Sequence, residues 1–186
     1  MKKLLFTVLI CFGILAANAQ RIGIKGGFNF SKGKYENGTP NETLLGLQLG
    51  VVGDYFFTEN IYGNSGLLYS VKGQKYSTDG KSFKFPIHYL EVPLNVGFNQ
   101  DLGNNLAFFA QAGPYIGIGI TAKDADFGSD NEYKRIDFGL NVGTGVEYDK
   151  FQFGVNYGLG IVDIDNGPGK FKNRVLSLTA VYYLPF

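Results

Sequence analysis

Residues 175–186 alternate between two faces, with Leu176, Leu178, Ala180, Tyr182, Leu184 and Phe186 on one and Val175, Ser177, Thr179, Val181 and Tyr183 on the other. A repeat of two is the period of a β-strand, because successive side chains point to opposite sides. Seven earlier stretches repeat it. Ile22, Ile24, Gly26, Phe28 and Phe30 oppose Gly23, Lys25, Gly27 and Asn29; Leu45, Leu47, Leu49, Val51 and Tyr55 oppose Gly46, Gln48, Gly50 and Asp54. A less regular third sets Leu67, Tyr69 and Val71 against Gly66, Ser70 and Lys72. His88, Leu90, Val92, Leu94, Val96 and Phe98 then face away from Tyr89, Glu91, Asn95, Gly97 and Asn99. The fifth opposes Leu106, Phe108, Ala110, Ala112, Ile116, Ile118 and Ile120 to Phe109, Gln111, Gly113, Tyr115, Gly117 and Gly119. In the sixth, Ile136, Phe138, Leu140, Val142, Val146 and Tyr148 oppose Arg135, Asp137, Asn141, Gly143, Gly145 and Glu147. The seventh places Phe151, Phe153, Val155, Tyr157, Leu159 and Ile161 opposite Gln152, Gly154, Asn156, Gly158 and Gly160.

Eight half-apolar strands make a barrel or a sandwich, and the period alone does not say whether the apolar face points in or out. The connections do. Long polar segments after strand one, at 77–84, at 121–134 and at 162–173 alternate with short turns at 58–60, 99–105 and 149–150. Long loops on one rim and short turns on the other are the outer-membrane arrangement. On the short-turn rim the apolar face ends in Tyr55, Phe98, Phe108, Tyr148, Phe151 and Phe186, six aromatics at one depth, as in an interfacial girdle. The uncharged run 102–122 is not a membrane helix, since it alternates and holds several glycines and Pro114. Pro93 and Pro114 each remove a ladder donor, so bulges are expected there.

Lys2 and Lys3 precede an apolar run at 4–15 and a small-x-small site, Ala17-Asn18-Ala19, which predicts a signal peptide over 1–19 and a barrel domain over 20–186. Cys11, the single cysteine, leaves with that signal, so neither a disulfide framework nor a thiol nucleophile is expected. Removing two lysines changes the balance from 17 bases against 16 acids to 15 against 16. Near-neutrality argues against nucleic acid as a partner.

An eight-stranded barrel is filled by its own side chains, so an open pore is not expected. The inward set carries Lys25, Lys72 and Arg135 with Asp54, Glu91, Asp137 and Glu147, and ions removed from water need partners. The readings are a salt-bridge and hydrogen-bond plug or an ion pathway. The single histidine, His88, falls on the lipid side near the outer rim without a matched serine constellation, so no catalytic residue is assigned. One histidine and no mature cysteine make no metal site, and no cofactor is assigned. The acidic loops at Asp124/Asp126 and Asp163/Asp165 do not meet the calcium-loop pattern. Lys32, Lys34, Tyr35, Glu36, Tyr76, Lys81, Phe83, Phe85, Phe127, Tyr133, Phe171 and Lys172 sit in the long connections. Aromatics interleaved with charge suit an extracellular protein or glycan, or are ordinary connecting residues.

Tyr89-Leu90-Glu91-Val92-Pro93-Leu94, Ala112-Gly113-Pro114-Tyr115-Ile116-Gly117, and Asp137-Phe138-Gly139-Leu140 followed by Gly143-Thr144-Gly145-Val146-Glu147-Tyr148 resemble the PorT-type outer-membrane β-barrel proteins of Bacteroidota. The resemblance covers essentially the whole mature chain. It implies an eight-stranded barrel in the outer membrane of a Gram-negative bacterium and an association with protein export, and brings no catalytic residues. Tyr182, Leu184 and Phe186 likewise resemble a C-terminal assembly signal, which implies contact with the barrel assembly machinery. The expectation is an all-β, eight-stranded antiparallel up-and-down barrel, monomeric in outer-membrane lipid, with a structural, adhesive or export-accessory role. Its rivals are a lipid-modifying barrel enzyme and a secreted soluble ligand-binding barrel.

Overall fold

Each strand of the chain pairs with the next, and the last closes on the first: β1 (Arg21–Tyr35), β2 (Leu44–Phe56), β3 (Ile61–Thr78), β4 (Lys81–Gly103), β5 (Leu106–Ala122), β6 (Ile136–Tyr148), β7 (Phe151–Gly160) and β8 (Phe171–Tyr183) form a closed antiparallel barrel. The computed structural model describes residues 20–35, 42–78, 81–122, 134–164 and 171–185. The segment 1–19, the acidic pair Asp124/Asp126, and Glu36, Phe127, Tyr133, Asp165 and Phe186 lie outside the described residues. Followed round the ring, the pairings return to β1 roughly ten residues further along, a stagger that tilts every strand.

The apolar rows face outward. Leu45, Leu47 and Leu49 are 61%, 58% and 59% exposed, while Gly46, Gln48 and Asp54 between and beyond them are buried. A water-bathed globule would leave three consecutive leucines of one face in solvent, whereas lipid is the solvent such a face requires. The soluble-barrel reading is therefore set aside.

Turn chemistry fixes one rim. Asn104 and Asn105 take left-handed φ values of 55° and 61° in the two-residue turn between β4 and β5, the conformation that matches hairpin twist. Asp101 Oδ1 accepts the Gly103 N–H at 2.7 Å and holds the approach. Asp149, also left-handed at 53°, does the same between β6 and β7. Thr58 Oγ1 accepts from the Ile61 N–H at 3.0 Å in the β2–β3 turn. All three turns share the rim where β1 begins and β8 ends, so the longer connections lie at the other, extracellular rim.

Three expectations are corrected. The segment 77–84 is not a loop: β3 and β4 stay paired through Tyr76↔Phe83, Ser77↔Ser82 and Thr78↔Lys81, making a hairpin that rises beyond the barrel. The polar stretch alternates strongly enough, around Phe83 and Phe85, to continue both strands. No bulge forms at either proline. Ser65 pairs with Leu94 and Leu68 with Glu91, so the register runs unbroken past Pro93, and the ladder merely lacks pairs there. Pro114 behaves alike, with Pro93↔Tyr115 and Val96↔Ala112 bracketing the gap. The register shifts fall instead at Ile120, between His88↔Thr121 and Tyr89↔Gly119, and beside Gly103. Phe171, expected on the exposed surface, is fully buried, because it shares the inward parity of Asn173 and Val175 in β8 and packs against Ile87, Tyr89 and Ile164.

Candidate functional site in the barrel interior and the extracellular hairpin

Three polar layers fill the interior. Nearest the short-turn rim, Arg21 reaches across the barrel to two acids, with Nη2 at 2.9 Å from Asp54 Oδ2 and 3.2 Å from Glu147 Oε2, and Nη1 in close contact with Glu147 Oε1. Asn64 Nδ2 donates to Asp54 Oδ1 at 2.7 Å, and the Tyr183 hydroxyl donates to Asp54 Oδ2 at 2.7 Å. The guanidinium also stacks 4.1 Å from the Tyr183 ring and 5.0 Å from that of Phe56. Both carboxylate oxygens of Asp54 are thus met by donors.

The middle layer is joined by neutral side-chain hydrogen bonds. Asn29 Nδ2 donates to Ser70 Oγ at 3.0 Å and Ser177 Oγ donates to Asn29 Oδ1 at 2.7 Å, tying β1, β3 and β8 together. Asn156 Nδ2 donates to Thr179 Oγ1 at 3.0 Å. Lys25 lines a cavity of about 30 Å³ here, along with Lys72 and Glu91. That volume holds one or two waters and is not a channel.

The outer layer centres on Lys72. Its ammonium touches Glu91, lies 3.6 Å from Asp137 Oδ2, and sits 4.2 Å from the Tyr115 ring centroid. Asp137 also accepts from the Tyr115 hydroxyl at 3.2 Å and from Asn173 Nδ2 at 2.9 Å. Above this layer Ile87, Tyr89, Ile164 and Phe171 form an apolar stopper. The connection after β7 is what delivers it: Ile164 N–H donates to Phe171 O at 2.9 Å, and the Phe171 N–H donates to Asp163 Oδ1 at 2.8 Å.

Of the seven interior charges expected, Asp54 and Glu147 share Arg21, and Lys72, Glu91 and Asp137 meet one another. Lys25 adjoins the second group across the cavity. Arg135 stands just before β6, half-buried at the extracellular end. Arg21 was missed, although strand parity with Gly23 and Lys25 assigns it inward. So was the stopper, since Ile164 lies in a segment without a period.

On the outer surface Tyr55, Phe98, Phe108, Tyr148 and Phe151 all face outward beside the short turns. Phe57, 5.5 Å from Tyr55, and Tyr182, 5.0 Å from Phe151, extend the set. Leu184 N–H donates to Ile22 O at 2.8 Å and continues the seam between β8 and β1. His88 faces outward with Nδ1 2.5 Å from the Tyr69 hydroxyl, and its ladder neighbours are Val71 and Thr121. Neither neighbour is an acid that could orient it as a base.

At the extracellular end the β3–β4 hairpin carries Lys75, Lys81, Phe83 and Lys84. Lys75 pairs with Glu42 at 2.5 Å, and an isolated bridge joins the two backbones. Residues 81–84 are all exposed. Among the described residues β4 meets β5 from Ile87↔Ala122 downward.

Among curated proteins none matches the chain in sequence. Solved barrels resemble it in fold. Neisserial surface protein A has a TM-score of 0.55 at 13% identity, over 87% of this chain and 96% of its own. The outer membrane enzyme PagL has a TM-score of 0.55 at 13% identity, over 88% and 99%. Ail, the attachment invasion locus protein of Yersinia pestis, in complex with the heparin analogue sucrose octasulfate, has a TM-score of 0.50 at 16% identity, over 88% and 98%. At these identities the likeness speaks for the fold, which an enzyme and a non-enzymatic surface protein can share. The family model for the outer membrane protein beta-barrel domain matches residues 16–166. With that match, the closed eight-stranded ring and the outward apolar rows, the chain belongs to the outer membrane protein beta-barrel domain family and resides in the Gram-negative outer membrane.

Proposed function

We propose that the protein is a sealed barrel that displays a recognition element at the cell surface, with no chemistry of its own. The observation that carries this reading is the β3–β4 hairpin, which stays paired up to Thr78↔Lys81 and holds Lys81, Phe83 and Lys84 in solvent. A strand that only spanned the bilayer would need about 9 to 11 residues, and β4 has 23. Pro86, Lys81 and Lys84 are residue types that discourage strand-to-strand pairing with another chain, so the contact is through side chains. Their charge favours an anionic extracellular partner, a sulfated glycan or an acidic protein face.

The lower part of the molecule serves placement. Tyr55, Phe98, Phe108, Tyr148, Phe151 and Phe186 anchor the barrel at the periplasmic interface, and Tyr182, Leu184 and Phe186 engage the barrel assembly machinery during insertion. The interior charges act as a plug, and the barrel works as a monomer. The PorT-type assignment, with its link to export, stays a proposal within the family. Its motifs in β4, β5 and β6 supply Tyr89, Glu91, Tyr115 and Asp137, the cage around Lys72.

The test pairs two measurements. In planar bilayers the purified protein passes no stepwise current, and resolved channel openings would refute the sealed reading. Cells displaying the protein adhere to heparin-coated surfaces, and Lys81→Glu/Phe83→Ser/Lys84→Glu abolishes the adherence while leaving the folded gel mobility unchanged. Undiminished adherence by that variant removes the hairpin from the reading.

A further inference from the structure

The seam where β8 closes on β1 carries two features on its lipid-facing side, a row of cations and a groove. The even-numbered residues of both strands face outward, as the exposed Ile24, Phe28, Leu176 and Leu178 show. At the extracellular end of this row Lys32 lies directly opposite Arg174, and the ladder next pairs Lys34 with Lys172. Like charges placed opposite each other across a ladder repel and destabilise it. Among the described residues none of Lys32, Lys172 and Arg174 forms an ion pair with a carboxylate. Arg174 Nη1 donates to Gly160 O at 2.8 Å, which fixes its base and leaves further donors of the guanidinium fork free.

Further down the same row the surface sinks. Gly26 pairs with Ala180, and these two small residues floor a groove of about 430 Å³ walled by Phe28, Leu178, Tyr182 and Phe151. A methyl group at Gly26 would meet no atom within 4 Å, so the groove is open. From Arg174 to Ala180 the strand runs about 20 Å, which a barrel tilt near 40° converts to about 15 Å of depth. That is about half of a hydrocarbon core about 30 Å thick, one leaflet.

We infer that the β1–β8 seam binds a phosphorylated acyl lipid of the outer leaflet, its phosphate between Lys32, Arg174 and Lys172 and an acyl chain in the groove over Gly26 and Ala180. Cations sit at headgroup level on the extracellular side, and the groove's upper end at Phe28 and Leu178 lies within one leaflet of them, where the end of an acyl chain reaches, while Phe151 and Tyr182 close its periplasmic end. Arg matches phosphate oxygens two at a time, and Lys adds point charge. The bound anion also relieves the repulsion that the register builds into the ladder. This site shares no residue with the hairpin, so either can fail without the other.

Native mass spectrometry of the full folded barrel tests the inference, with bis-phosphorylated lipid A as the probe and phosphatidylcholine and inorganic phosphate as controls. One lipid A binds saturably. Lys32→Gln/Arg174→Gln weakens it by at least about tenfold, the scale of losing charge-assisted contacts. Gly26→Leu, which fills the groove without a clash, weakens it comparably, and both variants keep the heat-dependent gel shift of a folded barrel. A hundredfold excess of inorganic phosphate leaves the lipid bound. The inference is overturned if both variants bind lipid A as the parent does, if inorganic phosphate displaces it, if phosphatidylcholine binds equally, or if the groove instead closes a dimer that excludes lipid.

Discussion

Replacing Lys72 by Met removes the one cation that touches Glu91. Lys72 and Glu91 are each only 4% exposed, and Asp137 is fully buried. The two acids differ in what remains to them. Asp137 keeps the Tyr115 hydroxyl at 3.2 Å and the Asn173 amide at 2.9 Å. Glu91 keeps no comparable donor among the described contacts, and its Oε2 is already without a hydrogen-bond partner apart from the ion pair. Breaking a buried pair by deleting one member costs about 3 to 5 kcal/mol, because a charge is left uncompensated. The adjacent cavity of about 30 Å³ admits a water to Glu91, which places this case near the lower end, about 3 kcal/mol. Lys72→Met/Glu91→Gln removes the stranded charge as well, and its loss falls to about 1 kcal/mol, about 2 kcal/mol less than that of the single variant. Urea titration of the barrel refolded in phospholipid vesicles, read by the folded and unfolded gel bands, compares both variants with the parent. If Lys72→Met costs under about 1 kcal/mol, or the double variant is no more stable than the single, the cage is not what holds this layer.

Val142, the middle residue of β6, faces lipid, and Val142→Lys costs about 2 to 4 kcal/mol in the same titration, whereas Asn141→Lys, aimed at the polar interior, costs less. The reverse order would invert the face assignment. Asn105→Ala forces an alanine to φ 61° in the β4–β5 turn and lowers stability by about 1 to 2 kcal/mol, while Asn105→Gly does not; equal midpoints would mean the turn has relaxed. Phe171→Ala opens the extracellular stopper and costs about 3 to 5 kcal/mol, and a loss below about 1 kcal/mol would show that Phe171 is not packed as the structure has it.

The strand period was legible because a transmembrane strand separates two solvents, lipid outside and a polar filling inside, and each residue answers to one. Leu45, Leu47 and Leu49 could not be misread. What escaped was everything decided by contact across the barrel rather than along a strand. Arg21 carries the same parity signal as Lys25, yet its two acids come from β2 and β6, and no local pattern joins residues 21, 54 and 147. Ile164 and Phe171 flank a stretch rich in Asp, Gly and Pro that reads as loop, and their burial comes from contact with Ile87 and Tyr89 across the opening. The prolines misled for a related reason. A missing donor requires no extra residue, and the carbonyl left without its ladder partner is met by a side chain: Ser65 Oγ donates to Pro93 O at 2.8 Å. The hairpin was missed because polar composition was weighed above alternation.

The segments that carry the PorT-type resemblance lie on three consecutive strands, and their inward members Tyr89, Glu91, Tyr115 and Asp137 all converge on Lys72 of β3. A motif of this kind is selected by closure. One buried cation needs two acids and an aromatic face at fixed heights on β4, β5 and β6, and a slip of one residue in any of those registers would turn its member into lipid. Such residues therefore recur wherever the same barrel must close, whatever the protein does above the membrane. The hairpin beyond Ile87 and the cations at the β1–β8 seam answer to no closure requirement. The hairpin extends past Ile87↔Ala122, where the described β4–β5 ladder ends, and Lys32 opposite Arg174 works against the ladder that holds them. Positions that burden the fold, or add nothing to it, are where selection for a partner or a lipid has room to act, so variation in function within this family is expected at the outer rim and not in the cage.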